Sequence, residues 1–421
     1  MLADMSATTF LSARRRDWQD FRLLWGGQSV SLVGDQVFLL ALPLAALREL
    51  HAGTMQVALL AALSRLPFLL LGLPAGVWVA RLGLRRSMLG ADLVRSAAVL
   101  SLPLAAWLDF LAPAQLFAVA LVTGTAMVFF QVAYQSYTPA LIADDRRLHA
   151  ANTRLSLSES TALLIGPGLA GVVISAVGAT RALLLDAGSY AVSVLTLTAI
   201  RHRETIVPAR QPMWHDVRDG LRFVARHPVL RPIMMCSAAY NLGVAMYDAL
   251  LAVFAVQHLH LSAWAFGTAL AVGGAGFPLG GLLARRTAAR VGLGPSLAVA
   301  ALPSIAGLAI GASAHGHQAA ALLAAGTFVN GVGQGLFAVN ALTLRHLAAP
   351  PELTTRATAV HRFVTWGMLP LGSVLAGLVG GAFGVRAAML AAAATTAFCL
   401  PPLLARPLLS ARRPQRQTAL G

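Results

Sequence analysis

At 421 residues, 57% apolar and a mean hydropathy of +0.71, the chain is too hydrophobic for a pair of soluble domains. Its formal charge of +16 comes from 32 basic residues, every one an arginine. These are spread over connections rather than gathered in one patch, which argues against a nucleic-acid binder and fits contact with anionic membrane lipids.

That length leaves room for about twelve spans of roughly 20 residues with short turns. They are expected near 22–47, 55–80, 87–108, 115–141, 153–178, 182–200, 232–256, 263–284, 293–312, 318–345, 357–381 and 386–405. Arg14, Arg15, Arg16 and Arg22 precede or open span 1, and Arg81, Arg85 and Arg86 separate spans 2 and 3. Arg146, Arg147 and Arg154 surround the start of span 5, and Arg345, Arg356 and Arg362 flank the turn from span 10 to span 11. The tail carries Arg406, Arg412, Arg413 and Arg416. All of these fall on one side of the implied membrane. The positive-inside rule makes that side cytoplasmic, with both termini inside a bacterial inner (plasma) membrane. The N-terminal stretch reads as the first anchor rather than a cleaved signal peptide.

Two halves of six spans are expected, 1–200 and 232–421, joined by a connection over 201–231. Within that connection Trp214, Val217, Leu221 and Val224 share one helical face, with Arg218, Asp219, Arg222 and Arg226 around it. This pattern suits a helix lying in the headgroup layer. The halves repeat: Pro74, Gly76, Ala80 and Arg81 recur in order as Pro278, Gly280, Ala284 and Arg285, and Arg154, Pro167 and Arg181 as Arg356, Pro370 and Arg386. Such internal symmetry accompanies paired helix bundles around a midplane cavity. The fold class is an all-α membrane protein of twelve transmembrane helices in two pseudosymmetric six-helix bundles.

Polar residues inside spans carry the functional expectation, since an unpaired charge in hydrocarbon costs at least about 2.5 kcal/mol. Asp35 in span 1 and Asp248 in span 7 lie near mid-depth, and Glu159 lies two turns into span 5. These three carboxylates are the candidates for proton coupling, with static pairing of Asp35 to Arg65 as the alternative. Asp92 and Arg95 share a face of span 3 as an ion pair or gate element. Asp186 is expected near the outer end of span 6, paired with Arg181. Gln131, Tyr134, Gln135, Asn241, Asn330 and Gln334 are candidates to line a substrate cavity, or to bond across helices without meeting cargo. Gly72-x-x-x-Gly76 and Gly276-x-x-x-Gly280 allow close helix approach, and Pro167 within Gly166-Pro167-x-x-x-Gly171 allows a bend.

Cys236 and Cys399 fall in spans and read as packing residues, without disulfide or metal. The pairs His258/His260 and His315/His317 sit in external turns and read as solvated surface. No nucleophile triad, phosphate-binding loop or cofactor motif stands at a membrane mouth, so neither an enzyme nor a cofactor is expected.

With these residues in view, the chain from Phe21 to about Leu404 resembles the major facilitator superfamily, nearest its drug/proton antiporter-like exporters, which include macrolide efflux proteins and the enterobactin exporter. Phe21-Arg22-Leu23-Leu24-Trp25, Gln28-Ser29-Val30-Ser31 and Gly34-Asp35 resemble the opening helix of that group. The run from Gly72 to Arg86 resembles the superfamily's loop 2–3 signature, which implies a gating role for Gly72, Gly76, Arg81, Arg85 and Arg86 beside Asp92 and Arg95. Ala80 stands where that signature carries Asp, with Asp92 or the Asp144-Asp145 pair as compensation. Gly166, Pro167 and Gly171 resemble the antiporter signature of span 5. The span 4 arginine signature is absent, with Gln131 and Gln135 there instead. The resemblance implies export of an amphipathic or hydrophobic small molecule, while exchange for protons is expected from Asp35, Asp248 and Glu159, and a functional monomer from one chain supplying both halves. A dedicated metabolite or siderophore exporter, a lipid-handling facilitator, or a membrane binding or sensing protein without transport remain alternatives.

Overall fold

The computed structural model describes residues 2–72, 74–142, 144–201, 221–348 and 351–410, apart from the side chains of 2–16, 351–357 and 359. Trp214, Val217, Arg218, Asp219, Arg412, Arg413 and Arg416 lie outside the described residues, as do the side chains of Arg14, Arg15, Arg16 and Arg356. Among the described residues all regular structure is helical, and twelve helices are long and apolar enough to cross a membrane. They are span 1 (Asp17–Glu49), span 2 (Thr54–Leu71), span 3 (Leu84–Trp107), span 4 (Pro113–Leu141), span 5 (Asp145–Val177) and span 6 (Ala179–Ala199). The second set is span 7 (Leu230–His258), span 8 (Ala263–Val291), span 9 (Leu293–Ala312), span 10 (Gly316–Ala348), span 11 (Val360–Phe383) and span 12 (Val385–Leu403).

Span 2 is shorter than its apolar run. The helix stops at Leu71 and restarts at Ala75–Leu82, with Pro74 capping the new helix. A proline has no amide to donate, and the amides of Val77 and Trp78 bond back to the Pro74 carbonyl instead. Gly72 is exposed at this break rather than packed in a helix crossing.

Four connections reuse one glycine device. Gly83, Gly178, Gly292 and Gly384 join spans 2–3, 5–6, 8–9 and 11–12, with φ between 88° and 97°. Each amide bonds the carbonyl four residues back and each carbonyl receives the amide four residues on, so one residue ends a helix and starts the next. With φ near +90° and an extended ψ, as at Gly292 (97°, 159°), this is a conformation essentially confined to glycine. The turns after spans 1 and 7 match as well. His51 and His260 adopt left-handed φ of 50°, and the next amides, of Ala52 and Leu261, reach the carbonyls of Ala46 and Ala255. Both helices end on the same amide-to-carbonyl reach of six residues past a left-handed histidine, made the same way in each half.

The chain divides into two compact units, residues 1–52 with 70–211 and residues 53–69 with 212–421. Span 2 groups with the second unit. Its side chains explain this: Thr54, Met55, Ala58 and Leu69 lie on Gly380, Gly377 and Gly367 of span 11, and Phe68 meets Trp366 edge-on at 4.9 Å. A glycine-lined helix face offers span 2 a groove that bulkier residues would fill.

In the second unit, spans 8 and 10 are in backbone contact. A Cβ on Gly276, Gly280 or Gly335 would come within 2.2, 2.0 and 1.9 Å of the carbonyl oxygens of Phe328, Val332 and Phe277. The 276/280 motif thus makes the close approach expected of it. Residues 221–226 form a short helix whose Val224 packs with Leu230 and Val360. His227 follows, its Nδ1 accepting from the amides of Val229 and Leu230, while burial holds its pKa below the ordinary 6.5. A neutral ring is what that acceptor role requires.

Candidate functional site

Three helices of the first unit bring five polar side chains together. Span 1 contributes Asp35, span 3 contributes Asp92 and Arg95 three residues apart, and span 6 contributes Asp186 and Tyr190 four apart. Spacings of three and four place each pair on one helix face. Gly34 lets span 6 come close to Asp35: a Cβ there would lie 2.1 Å from Ser189 Oγ and 2.8 Å from Asp186 Oδ1.

Asp35 Oδ1 accepts a hydrogen bond from Arg95 Nη2 and a second, of 2.6 Å, from the Tyr190 hydroxyl. Arg95 Nη2 also lies 2.6 Å from that hydroxyl, and its Nη1 is 3.5 Å from Asp92 Oδ1. The guanidinium stacks 4.0 Å from the Tyr190 ring centroid, with Phe130 of span 4 at 5.9 Å. Asp92 and Asp186 have no solvent exposure, whereas the Asp35 side chain keeps 19%. Both carboxylate oxygens of Asp186 lack a hydrogen-bond donor in this conformation. One fixed cation thus serves three carboxylates, and of these only Asp35 keeps exposed surface.

Several expectations are corrected here. Asp35 pairs with Arg95, not Arg65; Arg65 Nη2 instead lies 3.7 Å from Asp248 Oδ2 within the second unit. Asp186 is buried beside Gly34 and Arg95 rather than paired with Arg181 at the end of its span. Tyr190 was not among the sequence candidates; its spacing from Asp186 was the signal that could have found it.

The remaining candidates are dispersed. Asp248 is half-exposed beside Arg65. Glu159 is exposed on span 5, next to Ser158, which binds Trp25 Nε1 and Ser29 Oγ at 2.9 Å each. Arg154 lies over the rings of Trp18 and Trp25, tying the same two spans together. Arg85 donates 2.8 Å bonds from Nε and Nη2 to the carbonyls of Leu197 and Thr198, capping the end of span 6. Arg81 and Arg86 are exposed, and Asp144 caps span 5 through the amides of Arg146 and Arg147. Gly166 packs on the Gln36 side chain, and Pro167 and Gly171 lie within an unbroken helix, so the expected bend is not a helix break.

Among the cavity candidates, Gln131 Oε1, the Tyr134 hydroxyl and Asn330 Oδ1 are buried without a hydrogen-bond partner. Asn241 spends its Nδ2 on the Ser237 carbonyl of its own helix. Gln135 is exposed and Gln334 half-buried.

A family model described as transmembrane secretion effector matches residues 14–409, nearly the whole chain. The protein belongs to this family of major facilitator superfamily transporters. It is 31% identical over 222 residues to the multidrug efflux pump Tap of Mycobacterium tuberculosis, covering 49% of this chain and 51% of the pump. It is 22% identical over 264 residues to macrolide efflux protein A of Streptococcus pyogenes, covering 60% and 65%. The chain thus spans about half the length of the first curated relatives it matches. Among solved structures, the nucleoside transporter NupG shares the fold with a TM-score of 0.73 at 14% identity, over 92% of this chain and 98% of NupG. A bacterial homologue of the iron transporter ferroportin gives 0.69 at 17%, over 92% and 99%. The chain is therefore a multi-pass bacterial membrane protein of a transporter family.

Proposed function

We propose that this transporter exports an amphipathic or hydrophobic small molecule in exchange for protons by alternating access, with Asp35 as the principal coupling carboxylate. The observation that carries the reading is the bonding of Asp35. It joins span 1 to Arg95 of span 3 and Tyr190 of span 6, and it is the most exposed carboxylate of the cluster. Protonating Asp35 removes the charge that holds Arg95, so the three helices are bonded differently in the two protonation states. A ligand or proton shifts a conformational equilibrium only through such a difference. The efflux names of the relatives support export as the direction. Asp248 with Arg65 is a second charge pair that can respond to loading, and Glu159 a third carboxylate open to water. Gln131, Tyr134 and Asn330 supply polar atoms not committed elsewhere, suited to cargo. Both termini are cytoplasmic in this reading, Arg81 and Arg86 lie at the inner face, and one chain is the working unit.

The test is purified protein in liposomes under an imposed pH gradient, following uptake of hydrophobic cationic dyes and antibiotics. Gradient-dependent flux is expected, and Asp35→Asn should lower it by about a hundredfold or more, in line with loss of a positioned proton-transfer group. Full flux in a folded Asp35→Asn protein would remove Asp35 from coupling. Flux indifferent to the gradient would end the proton-exchange reading.

A further inference from the structure

Asp186 has no part in the coupling scheme above, yet its surroundings are unusual. It is fully buried, and neither carboxylate oxygen has a hydrogen-bond donor. An ionised carboxylate so placed would be uncompensated at a cost of several kcal/mol. The charged and titratable groups around it are Asp35 from span 1, Asp92 and Arg95 from span 3, and Tyr190 one turn along its own helix. Arg95 already bonds Asp35 and lies beside Asp92. With one guanidinium among three carboxylates, electrical neutrality requires two protons in the cluster. Asp35, which receives two donors, is the member suited to hold the negative charge.

We infer that Asp186 stores a proton that reaches the Asp35 carboxylate through the Tyr190 hydroxyl, so that two carboxylates rather than one handle the transported proton. This rests on the proton-exchange reading above and adds a residue to it. Tyr190 donates to Asp35 Oδ1 at 2.6 Å and accepts from Arg95 Nη2, which leaves one oxygen lone pair for Asp186, four residues away on the same helix. In the transfer, the Asp186 carboxylic O–H breaks and its proton passes to Tyr190 Oη. The proton already on Tyr190 passes to Asp35 Oδ1. Tyrosine begins and ends neutral, Asp186 becomes the carboxylate, Asp35 becomes the acid, and no electron changes hands. Asp35, with 19% of its side chain exposed, exchanges that proton with water. Arg95 bonds Asp35 before the move and is the cation that acts on the Asp186 charge after it. Asp92 keeps Arg95 anchored at Nη1 throughout.

The experiment is infrared spectroscopy of the full-length protein in liposomes, reading the carbonyl stretch of protonated carboxylic acids and its shift in deuterated water. At neutral pH buried-acid bands are expected from Asp186 and Asp92, and Asp186→Asn should remove the Asp186 component alone. Asp186→Glu should move that band rather than abolish it, which keeps the assignment testable where the asparagine variant fails to fold. Tyr190→Phe should retain the band but slow its deuterium exchange by about a hundredfold. A band unchanged by both Asp186 variants would overturn the inference, as would wild-type exchange kinetics in Tyr190→Phe. Since the readout is the proton and not cargo flux, the two readings fail separately. Asp35-dependent flux without an Asp186 band leaves the exporter standing, while an Asp186 band without gradient-driven flux leaves the proton store standing.

Discussion

At the scale of single residues, Arg95 is the side chain on which the first unit's polar cluster depends. Its guanidinium lies between Asp35 and Asp92 and over the Tyr190 ring, with 5% of its side chain exposed. Arg95→Leu should therefore destabilise the protein by about 3–5 kcal/mol, because removing one partner of a buried pair leaves the other uncompensated. The double variant Arg95→Leu with Asp35→Asn should recover a substantial part of that loss. Thermal unfolding in detergent checks both, and equal loss in single and double variants would mean that Arg95 contributes packing alone. The residue types of this cluster were legible in the sequence, and their partners were not. Asp35, Asp92 and Arg95 stood out as charges in apolar runs. Spacing within a helix reveals a face, but not which neighbouring helix that face meets. Hence Asp35 could be assigned to Arg65, and Tyr190 was not singled out at all.

At the scale of elements, glycine decides how closely spans meet and where they turn. Gly280 lies against Val332 backbone, where an added Cβ would be 2.0 Å from a carbonyl oxygen. Gly280→Ala must push spans 8 and 10 apart, with a cost of about 1–3 kcal/mol as for other overpacked cores. Gly90 in span 3 has nothing within 4 Å, so Gly90→Ala should leave the melting temperature unchanged or slightly raised. Gly292→Ala should cost about 1–3 kcal/mol for a different reason, since it forces a side chain onto φ of +97°. A ranking in which Gly90→Ala is the most damaging of the three would contradict this account. The existence and order of the spans could be read from hydropathy. The stop after Leu71 could not be placed, because an apolar run continues past it and only backbone bonding shows the helix ending. The shared turn at Gly83, Gly178, Gly292 and Gly384 was equally hidden among 38 glycines, since sequence carries no φ.

At the scale of the whole molecule, the arginine distribution predicts sidedness that labelling can check. A single cysteine at Asp109, in the turn after span 3, should react with an impermeant maleimide in intact cells. One at Arg86 should react only after the membrane is opened. Cys236 and Cys399, both fully buried, should add little background. The opposite pattern would invert the topology. What the sequence by itself determined is the twelve-span class, the transporter family and the set of charges inside spans. These follow from hydropathy, motif order and the cost of charge in hydrocarbon, all properties of the chain before it packs. Only the tertiary structure decided that span 2 lies on the glycine face of span 11, that Arg65 meets Asp248, and that Asp35, Asp92, Arg95, Asp186 and Tyr190 form one cluster. The reason is physical: lipid tails are as apolar as leucine, so hydrophobicity inserts a helix without choosing its neighbour. That choice falls to small residues that permit backbone contact and to polar groups that require a partner across the gap.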